Sequence, residues 1–192
     1  MNAIYKRALL WGTTDGLYRA SGGETRLLGF RGAGEFRAPV VQECREPGTL
    51  YAGSTRAGMH RSRDGGRTWE EINRGLTYKN VWAVAQHPTT GALFVGTSPA
   101  DVFVSTDGGD SWTECEGLGR LPTTRGWHGP VPPHISRLKG FALRPEDPKM
   151  VYGAIEEGWA VRSLDGGATW EQIAEGIDHD GHWIVLMPQP DT

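Results

Sequence analysis

The sequence has little of what marks a secreted or membrane protein. It contains only two cysteines, Cys44 and Cys115, too few for a disulfide framework, and we expect both to be free thiols. No apolar run approaches the length of a membrane-spanning helix, and the apolar patch near the N-terminus is shorter than the core of a signal peptide. These absences predict a cytoplasmic protein.

The chain also lacks a charge excess of either sign. Its 20 basic and 23 acidic residues give a formal net charge of -3. A chain of this charge has no general attraction for a polyanion. We therefore expect no nucleic-acid partner and no membrane partner.

No segment shows convincing helical periodicity, whereas turn-forming residues and tryptophan are abundant. The 28 glycines, 12 prolines and 8 tryptophans favour short strands that are joined by tight turns and anchored by large aromatic side chains. At 192 residues the chain is long enough for one domain with a hydrophobic core. The composition predicts a single all-β domain.

An eight-residue motif, Ser-x-Asp-x-Gly-x-Ser/Thr-Trp, occurs three times, at 62–69, 105–112 and 163–170. A degenerate copy around Gly22-Gly23 lies 43 residues before the first, and the later intervals are 43 and 58 residues. A period of about 40 to 45 residues that is built of short strands is typical of four-stranded propeller blades. The sequence thus predicts a β-propeller with about four blades, either as a closed small ring or as part of a larger propeller.

Each repeat divides into an inner strand, two middle strands and an outer strand. The last interval carries 15 extra residues, which form an insert between the outer strand of one repeat and the inner strand of the next. The predicted single domain, 1–192, contains repeats at approximately 8–30, 37–73, 80–116 and 138–175, a final inner strand at 182–188 and the insert at 117–137.

We interpret the motif as structural. The Asp carboxylate can accept hydrogen bonds from the turn that it begins, and the glycines supply positive φ angles. The Ser hydroxyl can bond across the hairpin, and the Trp can pack between blades. The residues with these roles are Ser62, Asp64, Gly66 and Trp69 in the first copy, Ser105, Asp107, Gly109 and Trp112 in the second, and Ser163, Asp165, Gly167 and Trp170 in the third.

This motif is similar to the Asp box, or BNR repeat, of sialidases, sortilin-type receptors and photosystem-assembly propellers. The resemblance covers nearly the whole chain and implies a propeller of the WD40/YVTN/BNR-like superfamily, either a complete member or a truncated one. Because the motif occurs in families with different activities, it implies no particular function.

The two ends of the chain suggest how a ring could close. Residues 8–14 read as a second strand and 182–188 as an inner strand, so the last strand could complete the first blade and remove an exposed edge. Alternatively, the chain is truncated, or a second copy completes the ring as a homodimer.

A ligand face is predicted on the side of the molecule opposite the motif hairpins. A long connection on a scaffold with short loops is often functional. The insert, the connection 176–182 and the middle-strand loop of the fourth repeat all open on this face, as do Arg56 and Asp101 in neighbouring loops. The candidate ligand-face residues are Arg125, Trp127, His128, His134, Glu156, Glu157, Trp159, Asp178, His179, Asp180 and His182.

Two main functions are compatible with this sequence. The first is a non-catalytic binding or assembly scaffold for a protein, peptide or glycan. The second is a sialidase-like glycoside hydrolase or its remnant, because the stretch FRAP resembles the sialidase motif that carries the first arginine of the carboxylate-binding triad, a role that would fall to Arg37. Metal-dependent hydrolysis by the clustered histidines is a third hypothesis. No metal ligand set and no cofactor is predicted.

Overall fold

The computed structural model describes residues 9–31, 42–43 and 46–187 of the chain. These residues form four antiparallel sheets, and the helical part of the described chain is a single short 3-10 helix, Pro122–Gly126. The predicted all-β class and the predicted number of about four blades are therefore confirmed. Among the described residues, no helix has the length and apolar character that crossing a membrane requires.

The first sheet has three strands and each of the others has four, paired in the order of the chain. The first sheet contains β1 (Leu9–Thr13), β2 (Gly16–Ser21) and β3 (Glu24–Gly29). The second contains β4 (Gln42–Glu43), β5 (Leu50–Ser54), β6 (Gly58–Ser62) and β7 (Glu70–Glu71).

The third and fourth sheets repeat this arrangement. The third contains β8 (Val81–Gln86), β9 (Leu93–Thr97), β10 (Val102–Ser105) and β11 (Thr113–Glu114). The fourth contains β12 (Arg137–Leu143), β13 (Val151–Glu156), β14 (Ala160–Ser163) and β15 (Glu171–Ile173).

Neighbouring sheets stack through glycines on their second strands. Every residue of β5 and β9 is buried, as expected for strands that are covered on both faces. A Cβ atom at Gly53 would lie 2.5 Å from Cγ1 of Val81, and one at Gly96 would lie 2.4 Å from Cδ2 of Leu138. Each glycine thus admits an apolar side chain from the inner strand of the following sheet.

The first and second full motif copies also join consecutive sheets. The indole N–H of Trp69 donates to the carbonyl of Leu28 in the first sheet (3.1 Å), and that of Trp112 donates to the carbonyl of Ile72 beside the second (2.7 Å). Trp170 differs, because its indole N–H donates to the carbonyl of Gly167 in its own hairpin (2.9 Å). The indoles of Trp69 and Trp112 therefore form hydrogen bonds between sheets, whereas the indole of Trp170 forms one within its own hairpin.

The predicted inner strand at 182–188 is not formed. Residues 181–187 contain no strand, and residue 188 lies outside the described part of the chain. The segment does run beside β12, since Ile184 lies close to Gly140, but Trp183, Val185 and Met187 remain exposed. Within the described residues, β1 pairs only with β2, so the predicted latch between the two ends is absent.

Candidate functional site

The strand register places the insert and the motif hairpins at opposite ends of the fourth sheet. Arg137 of β12 is opposite Glu156 of β13, and Val151 at the other end of β13 is opposite Ser163 of β14. The insert ends where β12 begins, at Arg137, and the third motif copy begins at Ser163, so the two lie at opposite ends of β13. We refer to the surface formed by the insert, the loop 156–160 and the segment 176–182 as the insert face.

The loop 156–160 is the point at which the three segments of the insert face meet. His128 of the insert contacts Glu157 through Nε2 and Oε2 at 2.5 Å. On the other side, the backbone N–H groups of Gly158 and Trp159 both donate to the carbonyl of His179 at 2.9 Å. The rings of Trp159 and His179 also contact each other, with centroids 5.8 Å apart. The structure thus brings together residues that are distant in the sequence.

Two residues of this loop adopt a backbone conformation that side chains with a Cβ disfavour. Glu157 has φ +53° and Trp159 has φ +62°. Left-handed residues other than glycine persist only where their surroundings hold them, and they concentrate at binding and catalytic sites. Here the contacts with His128 and His179 hold the loop in place.

A charged network surrounds Glu156, whose side chain is only 4% exposed. Its carboxylate accepts hydrogen bonds from Nη1 of Arg137 at 2.9 Å and from Nζ of Lys139 at 2.8 Å. The same ammonium group lies 3.2 Å from Nδ1 of His182, and Nε2 of His182 lies 2.9 Å from Asp180. The network therefore extends from the buried end of β13 to exposed groups on the segment 176–182.

This network also contains the one group of three metal-ligand side chains found among the described residues. Ligand atoms of Glu156, Asp180 and His182 all lie within 4.8 Å of one another. However, the ammonium of Lys139 already contacts both Glu156 and His182, so a cation is present where a divalent ion would bind. The arrangement fits an internal ion pair better than a metal centre.

Sequence reasoning missed Trp82, Arg137 and Lys139. The guanidinium of Arg137 lies 4.5 Å from the ring centroid of Trp82, and the ammonium of Lys139 lies 5.9 Å from it, both within cation–π range. The sequence did carry a signal, because these two residues are the only charged positions of the strand RLKGFAL and alternate with its buried positions. Their contact with Trp82 depends on the packing of β12 against β8, which one sequence does not reveal.

The remaining candidates are spread over the insert face. Arg125 and His134 are exposed, and Nδ1 of His134 lies 2.8 Å from the carbonyl of Gly129. Trp127 is in the core, only 8% exposed, which differs from the expected presentation to a ligand. Asp178 is exposed and lies 3.2 Å from His179.

Arg56 and Asp101, which the sequence also singled out, lie outside the network around Glu156. Arg56 is exposed as expected, whereas Asp101 is buried and its carboxylate accepts a hydrogen bond from the N–H of Val102. Burial raises the pKa of Asp101 to about 7. Arg37, the candidate sialidase arginine, lies outside the described residues.

The three motif hairpins share one hydrogen-bond pattern. In the second copy, the hydroxyl of Ser105 donates to Asp107 at 2.7 Å and accepts from the N–H of Gly109 at 2.8 Å. The Asp107 carboxylate also accepts from the N–H and the hydroxyl of Ser111 at 2.9 and 2.6 Å. The equivalent bonds form in the first copy, from Ser62 to Thr68, and in the third, from Ser163 to Thr169.

These hydrogen bonds favour the ionised carboxylates. Bonds from Thr68, Ser111 and Thr169 hold the pKa of the three motif aspartates below its usual range, and that of Asp165 falls to about 2. A carboxylate that is already bonded within its own turn is a poor candidate for proton transfer or metal binding. The geometry therefore fits the structural interpretation of the motif.

A second repeated feature, a glycine five or six residues after the motif tryptophan, escaped the sequence analysis. A Cβ atom at Gly75 would lie 2.1 Å from the carbonyl oxygen of Trp112, and one at Gly117 would lie 2.3 Å from that of Ala168. The backbone after β7 and the backbone after β11 thus abut the motif of the next sheet. The signal was the recurring Gly-Leu pair at 75–76 and 117–118, with Gly-Ile at 176–177.

Comparison with solved structures agrees with this architecture. A GH74 enzyme from Niastella koreensis matches 86% of this chain at 19% identity, with a TM-score of 0.61, and an ancestral GH74 enzyme matches 68% at 21% identity, with a TM-score of 0.52. The matched parts are 27% and 17% of the lengths of those two chains. No protein-family model matches the sequence, and no curated protein matches it at a significant level.

At such identities the likeness establishes the fold and nothing more. The chain forms a β-propeller-type array of antiparallel blades, the class to which the resemblance in the sequence pointed.

Proposed function

We propose that this chain is a non-catalytic binding module and that its insert face holds a peptide or an oligosaccharide. The observation that carries this proposal is the meeting of the insert and the segment 176–182 at the strained loop 156–160, through the His128–Glu157 and His179–Trp159 contacts. Three chain segments that are fixed in this way form a surface whose shape is set before a ligand arrives.

The side chains on this surface suit recognition. His128, Asp180 and His182 are exposed and offer hydrogen-bonding groups, and Trp183, which follows His182 in the chain, is 78% exposed. An exposed aromatic ring beside polar groups is suited to contact with a sugar ring or a peptide side chain. Oligosaccharides and peptides both offer groups that such a surface can contact, so both classes are tested.

The charge arrangement favours binding over hydrolysis. Glycoside hydrolysis by the common route needs two carboxylic groups, one of which must protonate the leaving oxygen. The carboxylate of Glu156 already accepts hydrogen bonds from Arg137 and Lys139 within the protein, so it is not presented to a ligand. The sialidase-like alternative depends on Arg37 and is a separate hypothesis.

The experiment is a screen of the full chain against an oligosaccharide array and a displayed peptide library, followed by calorimetry with each ligand found. We expect Trp183→Ala and the double variant His128→Ala/Glu157→Ala each to weaken binding about tenfold or more. Thr113→Ala, on the exposed outer strand β11, is the control and is expected to leave affinity unchanged.

Equal affinity in all variants, or no ligand in either screen, would exclude the insert face as the binding surface. Cleavage of a bound oligosaccharide that disappears in Arg37→Ala would instead support the hydrolase hypothesis.

A further inference from the structure

A groove lies between the first two sheets at the hairpin end of the molecule, away from the insert face. Its volume is about 530 Å³, within the range of sites for small molecules. Four arginines lie on its walls with only two carboxylates. These charged residues are Arg19, Glu24 and Arg26 from the first sheet, and Arg63, Asp64 and Arg67 from the second.

The strand register explains why the first sheet presents two arginines to this groove. Arg19 of β2 is directly opposite Arg26 of β3, and Ser21 is opposite Glu24. Because side chains two residues apart lie on the same face of a sheet, all four point to one side. Two cations are thus cross-strand neighbours on the wall of the groove.

This placement is unfavourable for an empty groove. Like charges directly opposite each other on neighbouring strands destabilise a sheet. Within the described part of the chain, neither Arg19 nor Arg26 forms an ion pair that would offset this repulsion. Both side chains are exposed at the wall of the groove.

The opposite wall adds positive charge. Arg63 pairs with Glu70 at 3.2 Å, while the guanidinium of Arg67 donates to the backbone carbonyl of Asp64 at 3.3 Å. The carboxylate of Asp64 is engaged by Thr68 and Ser62 within its own hairpin. The cations in this groove therefore outnumber the carboxylates that remain to neutralise them.

We propose that this groove binds a small ligand that carries two or more oxyanion groups, such as phosphate or sulfate esters. A guanidinium group matches such oxyanions with two parallel N–H donors, and Arg19 and Arg26 together can hold two oxyanions on one wall. Arg67 faces them from the second sheet. The ligand would bridge the two sheets and remove the repulsion between the paired arginines.

The test is calorimetric titration of the full chain with inositol hexakisphosphate and with sucrose octasulfate at low and at moderate salt. The double variant Arg19→Gln/Arg26→Gln removes the cross-strand pair. The control Arg74→Gln/Arg144→Gln lowers the net charge by the same amount at exposed sites outside the groove. We expect the first variant to weaken binding about tenfold or more and the control less than about threefold.

The two probes separate the possible sources of the oxyanion. Tighter binding of one probe assigns the groove to phosphate esters or to sulfate esters, and both results support the proposal. Equal weakening in the two double variants would indicate general charge attraction and would overturn it. Absence of binding by the unmodified chain to both probes would overturn it as well.

A second measurement uses the melting temperature, with and without each probe. Without a ligand, Arg26→Gln is expected to raise the melting temperature, because it removes the like-charge pair, and it should weaken the stabilisation that each probe confers. A lower melting temperature in Arg26→Gln would mean that Arg26 stabilises the sheet and would contradict the argument. Because the groove lies at the opposite end from the insert face, this result is independent of the proposed function.

Discussion

The aspartates of this chain differ in burial and in the hydrogen bonds that their carboxylates accept. The motif aspartates accept hydrogen bonds from hydroxyl and backbone N–H groups, whereas Asp101 is buried and accepts one from the N–H of Val102. The pKa consequently moves in opposite directions, down to about 2 at Asp165 and up to about 7 at Asp101. These residues should give opposite contributions to the dependence of stability on pH.

For Asp165, the folded-state pKa lies below the ordinary value of 3.8. Its contribution to stability is therefore fully present above pH 3.8 and is lost as the pH falls towards 2. Asp165→Asn should reduce the loss of stability over this window, as measured by urea denaturation at a series of pH values. Glu175→Gln, at an exposed position, is the control and should retain the full slope.

For Asp101, the folded-state pKa is raised, so the protonated form is the one that folding favours. Stability should fall as the pH rises from 3.8 to about 7. We expect Asp101→Asn, which mimics the protonated acid, to be more stable than the unmodified chain at pH 8 and to lack this slope. The check is the melting temperature from pH 4 to pH 8, and an unchanged slope would contradict the assignment.

The buried ion pairs of Glu156 should contribute to the stability of the fold at neutral pH. Replacing one partner of a buried ion pair leaves the other charge uncompensated, which typically costs 3 to 5 kcal/mol. Since Arg137 and Lys139 retain some exposure, we expect Glu156→Gln to lower the free energy of unfolding by about 3 kcal/mol. Glu171→Gln, which breaks an exposed pair with Arg162 in the same sheet, should cost less than about 1 kcal/mol.

Among the elements, the motif hairpins connect one sheet with the next through indole hydrogen bonds. The indole of Trp112 is buried and donates to the carbonyl of Ile72, beside the outer strand of the preceding sheet. Trp112→Phe would leave that carbonyl without its partner. We expect a loss of about 1 to 3 kcal/mol in urea denaturation. Trp183→Phe, at a largely exposed ring, should change stability by less than about 0.5 kcal/mol.

The glycines that follow the outer strands allow a paired test. Gly75 has φ +87° and its Cβ would collide with the backbone of Trp112, whereas Gly176, at the equivalent place in the fourth sheet, has φ +77° and open space around it. Gly176→Ala should cost only the penalty for a left-handed backbone, about 1 to 2 kcal/mol. Gly75→Ala should cost clearly more, because the backbone itself must move. Similar losses would refute the close-approach argument.

At the scale of the whole molecule, local patterns predicted the blades well. The spacing of the Gly-Gly pairs indicated the sheets, because each pair marks a turn that only residues tolerating positive φ can form. The roles of Asp107 and Ser105 also followed from the turn itself, since their partners are within four residues. Hydrogen bonds whose two partners lie within the same hairpin could therefore be predicted from the sequence of that hairpin.

Features that depend on contacts between distant segments were not predictable. The alternating apolar residues at 182–188 have the pattern of a strand, but a strand also needs a partner, and no described residue pairs with this segment. In the sequence Trp127 could be an exposed loop residue or a core residue, because its burial depends on packing against Gly158, where a Cβ atom would lie 3.0 Å from Cγ of Trp127. The ion pairs of Glu156 depend likewise on how β12 and β13 align.

The cross-sheet indole bonds have a consequence for how the chain is made. In each case the donor is about 40 residues later than the acceptor, as with Trp69 and Leu28 or Trp112 and Ile72. During synthesis on a ribosome, the outer edge of one sheet therefore stays incomplete until the tryptophan of the next has emerged. Assembly from the N-terminus would advance one sheet at a time, each waiting for the one that follows to lock it.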